Sequence, residues 1–292
     1  MSKGKLTIGM TQFTCVSDTE ANIKKAEEQI RALAAKGAKA ICTQELFNSL
    51  YFAQIHDRNE CLRAEPVDGP TNKRMQSLAK ELDVVIVSCF FEYAIDGVYY
   101  NSAAVIDANG KILGVYRKHH IPDSPHYNEK YYFTPGDSPY TVWKTKYGKF
   151  GVLICWDQWF PEPTRILALK GADFIFYPSA IGTDPDNQED VSQTWVDAIR
   201  GHGIHNTFYV CVCNRTGRED ATDGSGYLDF YGRGFVSDPW GNMVTEGAMY
   251  KEDLIVAELD LDEVRRARDI LRLLRDRRVD SYQEILKPSI SE

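Results

Sequence analysis

Residues 149–180, KFGVLICWDQWFPEPTRILALKGADFIFYPSA, pass from strand to helix to strand in a single stretch. KFGVLIC is apolar and mostly β-branched toward its end, which suits a buried strand. PEPTRILALKG has the composition and spacing of a helix, and DFIFYPSA reads as a second buried strand. Two strands joined by a helix are the unit of a parallel sheet covered by helices. The same stretch raises a chemical question, because Cys155 stands where the first strand stops and Trp156, Trp159 and Phe160 begin.

The flanking sequence repeats this logic on both sides. KLTIGMTQF, residues 5–13, alternates like a strand, and Ser17 with Glu20 forms a capping-box pattern ahead of a helix. The helix carries Ile23, Ala26, Ile30, Leu33 and Ala34 on one stripe and stops near Gly37. KAICTQE is a short buried strand ending at Glu45. Pro70 opens a second helix leading into the strand VVIVSCFF, and Asp96-Gly97 and Asn109-Gly110 mark two hairpin turns. After residue 180 come a helix at about 190–205, the strand FYVCVCN, a hairpin around Pro239–Asn242, the strand LIVAELDL and a charged helix, DEVRRARDILRLLRDRR. Strands and helices alternate in both halves with no Pro/Ser-rich linker. The chain is expected to form one α/β domain over residues 1–292, with two packed sheets, helices outside, and a C-terminal helix and tail from about 261.

With 292 residues, 43% hydrophobic and 26% charged, the composition is that of a globular protein. A net charge of −8 argues against nucleic acid as a partner. No run approaches the roughly 20 apolar residues of a membrane span, and the N-terminal residues lack the apolar core of a signal peptide. The seven cysteines are an odd number with no CxxC pair, so they read as reduced thiols of a cytoplasmic protein. His202 and His205 lie three apart but lack an acid or thiol partner, so no metal site is expected, and no organic cofactor.

Three segments end in a reactive side chain where apolar strand gives way to loop: ICTQELF with Glu45, GVYRKHHIP with Lys118, and VLICWDQWFPE with Cys155. Groups just past strand ends converge on a common crevice in α/β sheets. A thiol, an acid and an ammonium meeting there would cleave an amide: the sulfur attacks, the carboxylate moves protons and the cation steadies the oxyanion. Taken one at a time, the three read equally as a core thiol, a loop charge and a solvated cation.

TQELF, YRKHHIP and ICWDQWFPE together resemble the glutamate, lysine and cysteine motifs of the nitrilase (carbon–nitrogen hydrolase) superfamily, in that family's order and over roughly residues 5–280. The resemblance implies a four-layer α-β-β-α sandwich with a Glu45–Lys118–Cys155 triad. It also implies that Glu129, in YNEKYYF, orients Lys118, and that the backbone N–H of Trp156 shares the oxyanion with Lys118. Assembly into dimers or higher homo-oligomers follows from the same likeness; Trp156, Asp157, Trp159, Tyr51, Ser179 and Ala180 are the candidates for binding the oxyanion or the substrate. The ammonium is expected to favour the thiolate form of Cys155.

The expected substrate is a small carbamoyl amine. A carboxylate-bearing substrate would call for an arginine clamp, yet the positions after Cys155 read Trp156-Asp157-Gln158-Trp159 with no cation until Arg165. Aromatic faces and an aspartate suit an aliphatic ammonium. Asp184, Asp186, Glu189 and Asp190 are candidates for the pocket mouth, or a solvated turn. Arg200, Arg215 and Arg218 remain available as a clamp for a carbamoyl amino acid or ω-amide. A Cys–His thioesterase or amidotransferase, and a non-catalytic interaction protein, are the readings from other classes. His119 and His120 fit structural roles better than catalytic ones.

Overall fold

The computed structural model describes residues 3–186 and 190–290. The first half of the chain runs β1 (Lys5–Gln12), α1 (Thr19–Ala35), β2 (Ala40–Cys42), α2 (Pro70–Leu82), β3 (Val85–Ile95), β4 (Val98–Ile106) and β5 (Ile112–Arg117). A one-turn helix, α3 (Glu129–Tyr132), precedes the second half. That half runs β6 (Trp143–Thr145), β7 (Gly148–Val152), α4 (Pro161–Leu169), β8 (Phe174–Ser179), β9 (Gly182–Thr183), α5 (Ser192–Asn206) and β10 (Tyr209–Asn214). The hairpin β11 (Thr216–Asp220) and β12 (Tyr227–Tyr231), the strands β13 (Phe235–Ser237), β14 (Met243–Glu246) and β15 (Asp253–Asp260), and helix α6 (Leu261–Leu271) complete it.

The strands form two six-stranded sheets, ordered β15-β1-β2-β3-β4-β5 and β14-β13-β10-β8-β7-β6; β15, from the end of the chain, returns to pair with β1 in the first. In the first, β1, β2 and β3 are parallel and joined through α1 and α2; in the second, β7, β8 and β10 are parallel and joined through α4 and α5. Parallel neighbours need such crossovers, whereas the antiparallel β3-β4-β5 run needs only the turns at Gly97 and Gly110, both at positive φ.

The two sheets pack face to face. Period-2 alternation explains which residues meet. Ile8, Met10, Val85, Val87 and Cys89 of the first sheet join Val152, Phe174, Phe176, Val210 and Val212 of the second in one core. The opposite face of the first sheet, with Ile41, Ile86, Phe90 and Ala104, takes Ile23, Ala26, Ile30 and Leu33 of α1 and Met75, Leu78 and Ala79 of α2. The layers are therefore helix, sheet, sheet, helix, as anticipated.

Three local expectations are corrected. Asp18, not Ser17, caps α1: its carboxylate accepts from the N–H groups of Glu20 and Ala21 at 2.9 and 3.2 Å. Strand β2 ends at Cys42, so Thr43, Gln44 and Glu45 already belong to the loop. The charged C-terminal helix stops at Leu271 rather than continuing to Arg278, because it buries only Leu261, Val264 and Ala267 and Arg272 turns to φ +55°. Among the described residues, no helix is long and apolar enough to cross a membrane.

The cap supplies a test of this assignment. Asp18→Ala should destabilise the protein by about 1 kcal/mol in urea unfolding, while Ser17→Ala should fall within about 0.5 kcal/mol of the parent. The reverse ranking would contradict it.

Candidate active site

Glu45 and Lys118 leave the first sheet at the same edge of the sandwich. Gln44 pins the first of these loops to the end of β1, accepting from Phe13 N at 2.8 Å and donating to Phe13 O at 2.7 Å. Leu46 then takes φ +48°. Lys118 follows β5 directly, and its backbone N–H bonds to Asn101 O at 2.8 Å. Its ammonium is wholly buried and donates to Glu45 Oε1 at 2.8 Å and to both oxygens of Glu129 at 2.9 and 2.6 Å. Asn101 Nδ2 donates to the same Glu45 oxygen at 2.7 Å, and Tyr51 OH donates to Glu129 Oε1 at 2.6 Å. The other oxygen of Glu45, Oε2, is buried with no hydrogen-bond partner.

Cys155 arrives from the second sheet. Past β7 the chain forms a single 3-10 turn, Cys155–Trp159, and Cys155 itself sits at φ +43°, a region that L-residues avoid. Asp157 holds that turn. Its carboxylate accepts from Ile154 N at 2.9 Å, Tyr116 OH at 2.8 Å, His120 N at 3.0 Å and His120 Nδ1 at 2.7 Å. Because Tyr116 lies on β5 and His120 just beyond Lys118, these bonds also tie the cysteine turn to the lysine segment. The Cys155 thiol lies 4.0 Å from Ala180 O and is 5% exposed, toward a cavity of about 430 Å³.

The cavity is lined by Pro122, Ser124, Tyr127, Cys155, Trp156, Trp159, Ile181, Gly182, Asp184, Val191 and Thr194. Trp156 and Trp159 meet edge to face at 6.4 Å. Of the other residues expected at the substrate, four stand elsewhere. Asp157 is spent on the turn, and Tyr51 on Glu129. Ser179 donates to Gln158 Oε1 at 3.0 Å, and Ala180 offers its carbonyl to the thiol rather than a wall to the cavity. From the acidic loop Asp184 reaches the wall, Asp186 faces His126 at 3.4 Å, and Asp190 accepts from Ser192 N at 2.9 Å. Glu189 lies outside the described residues. The candidate arginine clamp is absent from the cavity. Arg200 bonds Gly241 O, Arg218 pairs with Asp220 over Tyr227, and Arg215 is buried against Glu219. His202 donates to Gln158 O, and among the described residues no cluster of three or more His, Cys, Asp or Glu side chains is disposed to hold a metal ion.

Residues 7–269 match the carbon-nitrogen hydrolase family. The chain belongs to that family. It is 45% identical to an N-carbamoylputrescine amidase of Solanum lycopersicum, over 96% of this chain and 95% of the relative. It is 42% identical to a citrullinase of Francisella tularensis, over 97% of this chain and 98% of the relative. A carbon-nitrogen hydrolase structure from Helicobacter pylori superposes with a TM-score of 0.94 at 35% identity, covering 98% of this chain and all of that one. The protein is thus a hydrolase of carbon–nitrogen bonds other than peptide bonds, on the family's layered sandwich.

The electrostatics of this hydrolase follow from burial and from the charges around Lys118. Burial pulls the Lys118 ammonium toward its neutral form, but Glu129 and Glu45 outweigh that, and its pKa ends above the ordinary lysine value. It is a fixed cation. Burial drives the Cys155 thiol well above its ordinary range, the Glu45 charge pushes it further, and Lys118 opposes both without prevailing. Lys118 thus favours the thiolate, but burial first and the Glu45 charge second outweigh it. Glu129 is also raised, by burial first and by Glu45, against the pull of Lys118.

The roles of Asn101 and Gln44, and the pairing of Arg215 with Glu219, are not legible in the sequence. Arg215 carried a readable signal, since it follows strand FYVCVCN as Cys155 follows KFGVLI. The others are ordinary polar residues whose partners are distant in the chain.

Alkylation of Cys155 in the resting enzyme should still rise beyond about pH 8.5, the ordinary thiol value. The Glu45 charge raises the thiol pKa, so Glu45→Gln should move that profile down. Lys118→Met should move it up. A profile that plateaus near neutrality would contradict the assignment.

Proposed function

We propose that the enzyme hydrolyses N-carbamoylputrescine to putrescine, carbon dioxide and ammonia through a thioester on Cys155. The observation that carries the substrate is the cavity wall. Among the described residues that line the cavity beside the sulfur are two indole rings and one carboxylate, Asp184, and no arginine or lysine. A carboxylate tail would be left unpaired there, whereas an alkyl ammonium finds π-faces and an acid. The likeness to plant N-carbamoylputrescine amidases supports the same reading.

In this reading Glu45 Oε2, buried and without a partner, takes the Cys155 proton as sulfur attacks the carbamoyl carbon. Lys118, held by Glu129, and the backbone N–H of Trp156 receive the oxyanion. Glu45 returns the proton to the departing amine, the C–N bond breaks and the thioester remains. Water, deprotonated by Glu45, then attacks the carbamoyl thioester, and the thiol leaves with the proton restored to sulfur, releasing carbamic acid, which falls apart to carbon dioxide and ammonia. No step uses a histidine, and none of the six lines the cavity. The same reading makes the chain a single catalytic unit, working as a homo-oligomer in a reducing compartment with its seven cysteines free.

Three measurements test it. Cys155→Ser and Glu45→Gln should each lower turnover at least about a hundredfold. N-carbamoylputrescine should exceed citrulline, N-carbamoyl-β-alanine and glutaramate in kcat/KM by about a hundredfold or more. Asp184→Asn should raise KM for N-carbamoylputrescine about tenfold with kcat nearly unchanged. Activity confined to the carboxylate compounds would overturn the substrate, and near-normal turnover of Glu45→Gln would overturn its role.

A further inference from the structure

Glu45 and Cys155 come from different sheets, so something must hold the proton carrier in register with the sulfur. Arg215, the residue after β10 in the second sheet, is wholly buried and crosses to the Glu45 loop of the first. Its Nη2 donates to Leu46 O at 2.8 Å and to Glu45 O at 3.1 Å, and its Nη1 donates to Ser49 O at 2.8 Å. Glu219 neutralises it through Oε1 at 2.7 Å, and Oε2 of the same carboxylate accepts from Tyr51 N at 2.7 Å. The pair therefore holds both ends of residues 45–51, where Leu46 sits at φ +48°. At its other end Arg215 is fixed by its own backbone, whose N–H bonds Ser179 O at 3.1 Å, one residue before the Ala180 carbonyl beside the thiol.

We infer that the Arg215–Glu219 pair is a positioning element that sets Glu45 against Cys155 across the two sheets. The inference rests on the proton-carrying role given to Glu45 above. A guanidinium suits the task because its planar fork offers several fixed donors to carbonyls that diverge around it, where an ammonium offers one point. Neither residue touches the cavity, so substrate binding is left alone.

The test is a double-mutant cycle on the full-length protein, with turnover expressed per Cys155 titrated by alkylation. Arg215→Lys should lower kcat at least about thirtyfold and change KM for N-carbamoylputrescine less than about threefold. In the Glu45→Gln background the same change should cost no more than about threefold, because a misplaced base no longer matters once the base is gone. Glu219→Gln, which leaves one oxygen but turns an amide donor toward a donor, should behave alike and serves if the arginine variant does not fold. Losses that multiply in the double variants, or a kcat per titrated site that is unchanged while only the melting temperature falls, would overturn the positioning role. A Glu45→Gln enzyme with near-normal turnover would instead overturn the catalytic reading on which it rests.

Discussion

An ammonium that water cannot reach is tolerated only when acids and hydrogen bonds surround it. Lys118 meets this condition with two carboxylates, and each of those is in turn held, Glu45 by Asn101 and Glu129 by Tyr51. Removing one partner of such a set leaves an uncompensated buried charge at a cost of about 3–5 kcal/mol. The cluster thereby fixes which oxygen of Glu45 is occupied and which remains open. It also bears on the thiol: burial first, and the Glu45 charge after it, raise the pKa of Cys155, and the shared ammonium opposes them only in part.

The second constraint is that the reacting groups belong to two sheets. Hydrophobic packing between the sheets sets their spacing but is non-directional and does not set atomic register. Polar contacts across the gap do that. Asp157 joins the cysteine turn to Tyr116 and His120 on the lysine side, and Arg215 joins the end of β10 to the glutamate loop. The loops that carry Glu45 and Cys155 each hold a strained residue, Leu46 and Cys155, each at positive φ and each adjacent to one of these ties. Strain of about 1–3 kcal/mol per residue persists only where the surroundings over-determine the backbone.

Much of this was legible in the sequence because strand-end chemistry is local. Glu45, Lys118 and Cys155 stand just past apolar runs that survive folding as β2, β5 and β7, Lys118 directly and the other two three residues beyond their strands. The misreadings have a common origin. Asp157 lies two residues from the nucleophile and carries a charge, which made it a candidate for substrate, yet a 3-10 turn rotates its carboxylate back to its own N-cap and across to β5. Tyr51 and Ser179 are likewise near the site but turned toward protein partners. Arg215 looked available for a substrate carboxylate, while its acid, Glu219, lies four residues on, along a strand whose path the sequence did not reveal. The raised thiol pKa was not legible for a physical reason: chain positions identify one ammonium near one thiol, and only the fold shows how deeply the thiol is buried and that two carboxylates share the ammonium.

The account stands on a covalent bond between Cys155 and the carbamoyl carbon. Its most direct test is peptide-resolved mass spectrometry of enzyme mixed with N-carbamoylputrescine and quenched in acid during turnover. An acyl adduct confined to the peptide bearing Cys155, and lost from Cys155→Ala, is the predicted result. Continued turnover with every cysteine unmodified, or with the adduct on one of the other six, would contradict it.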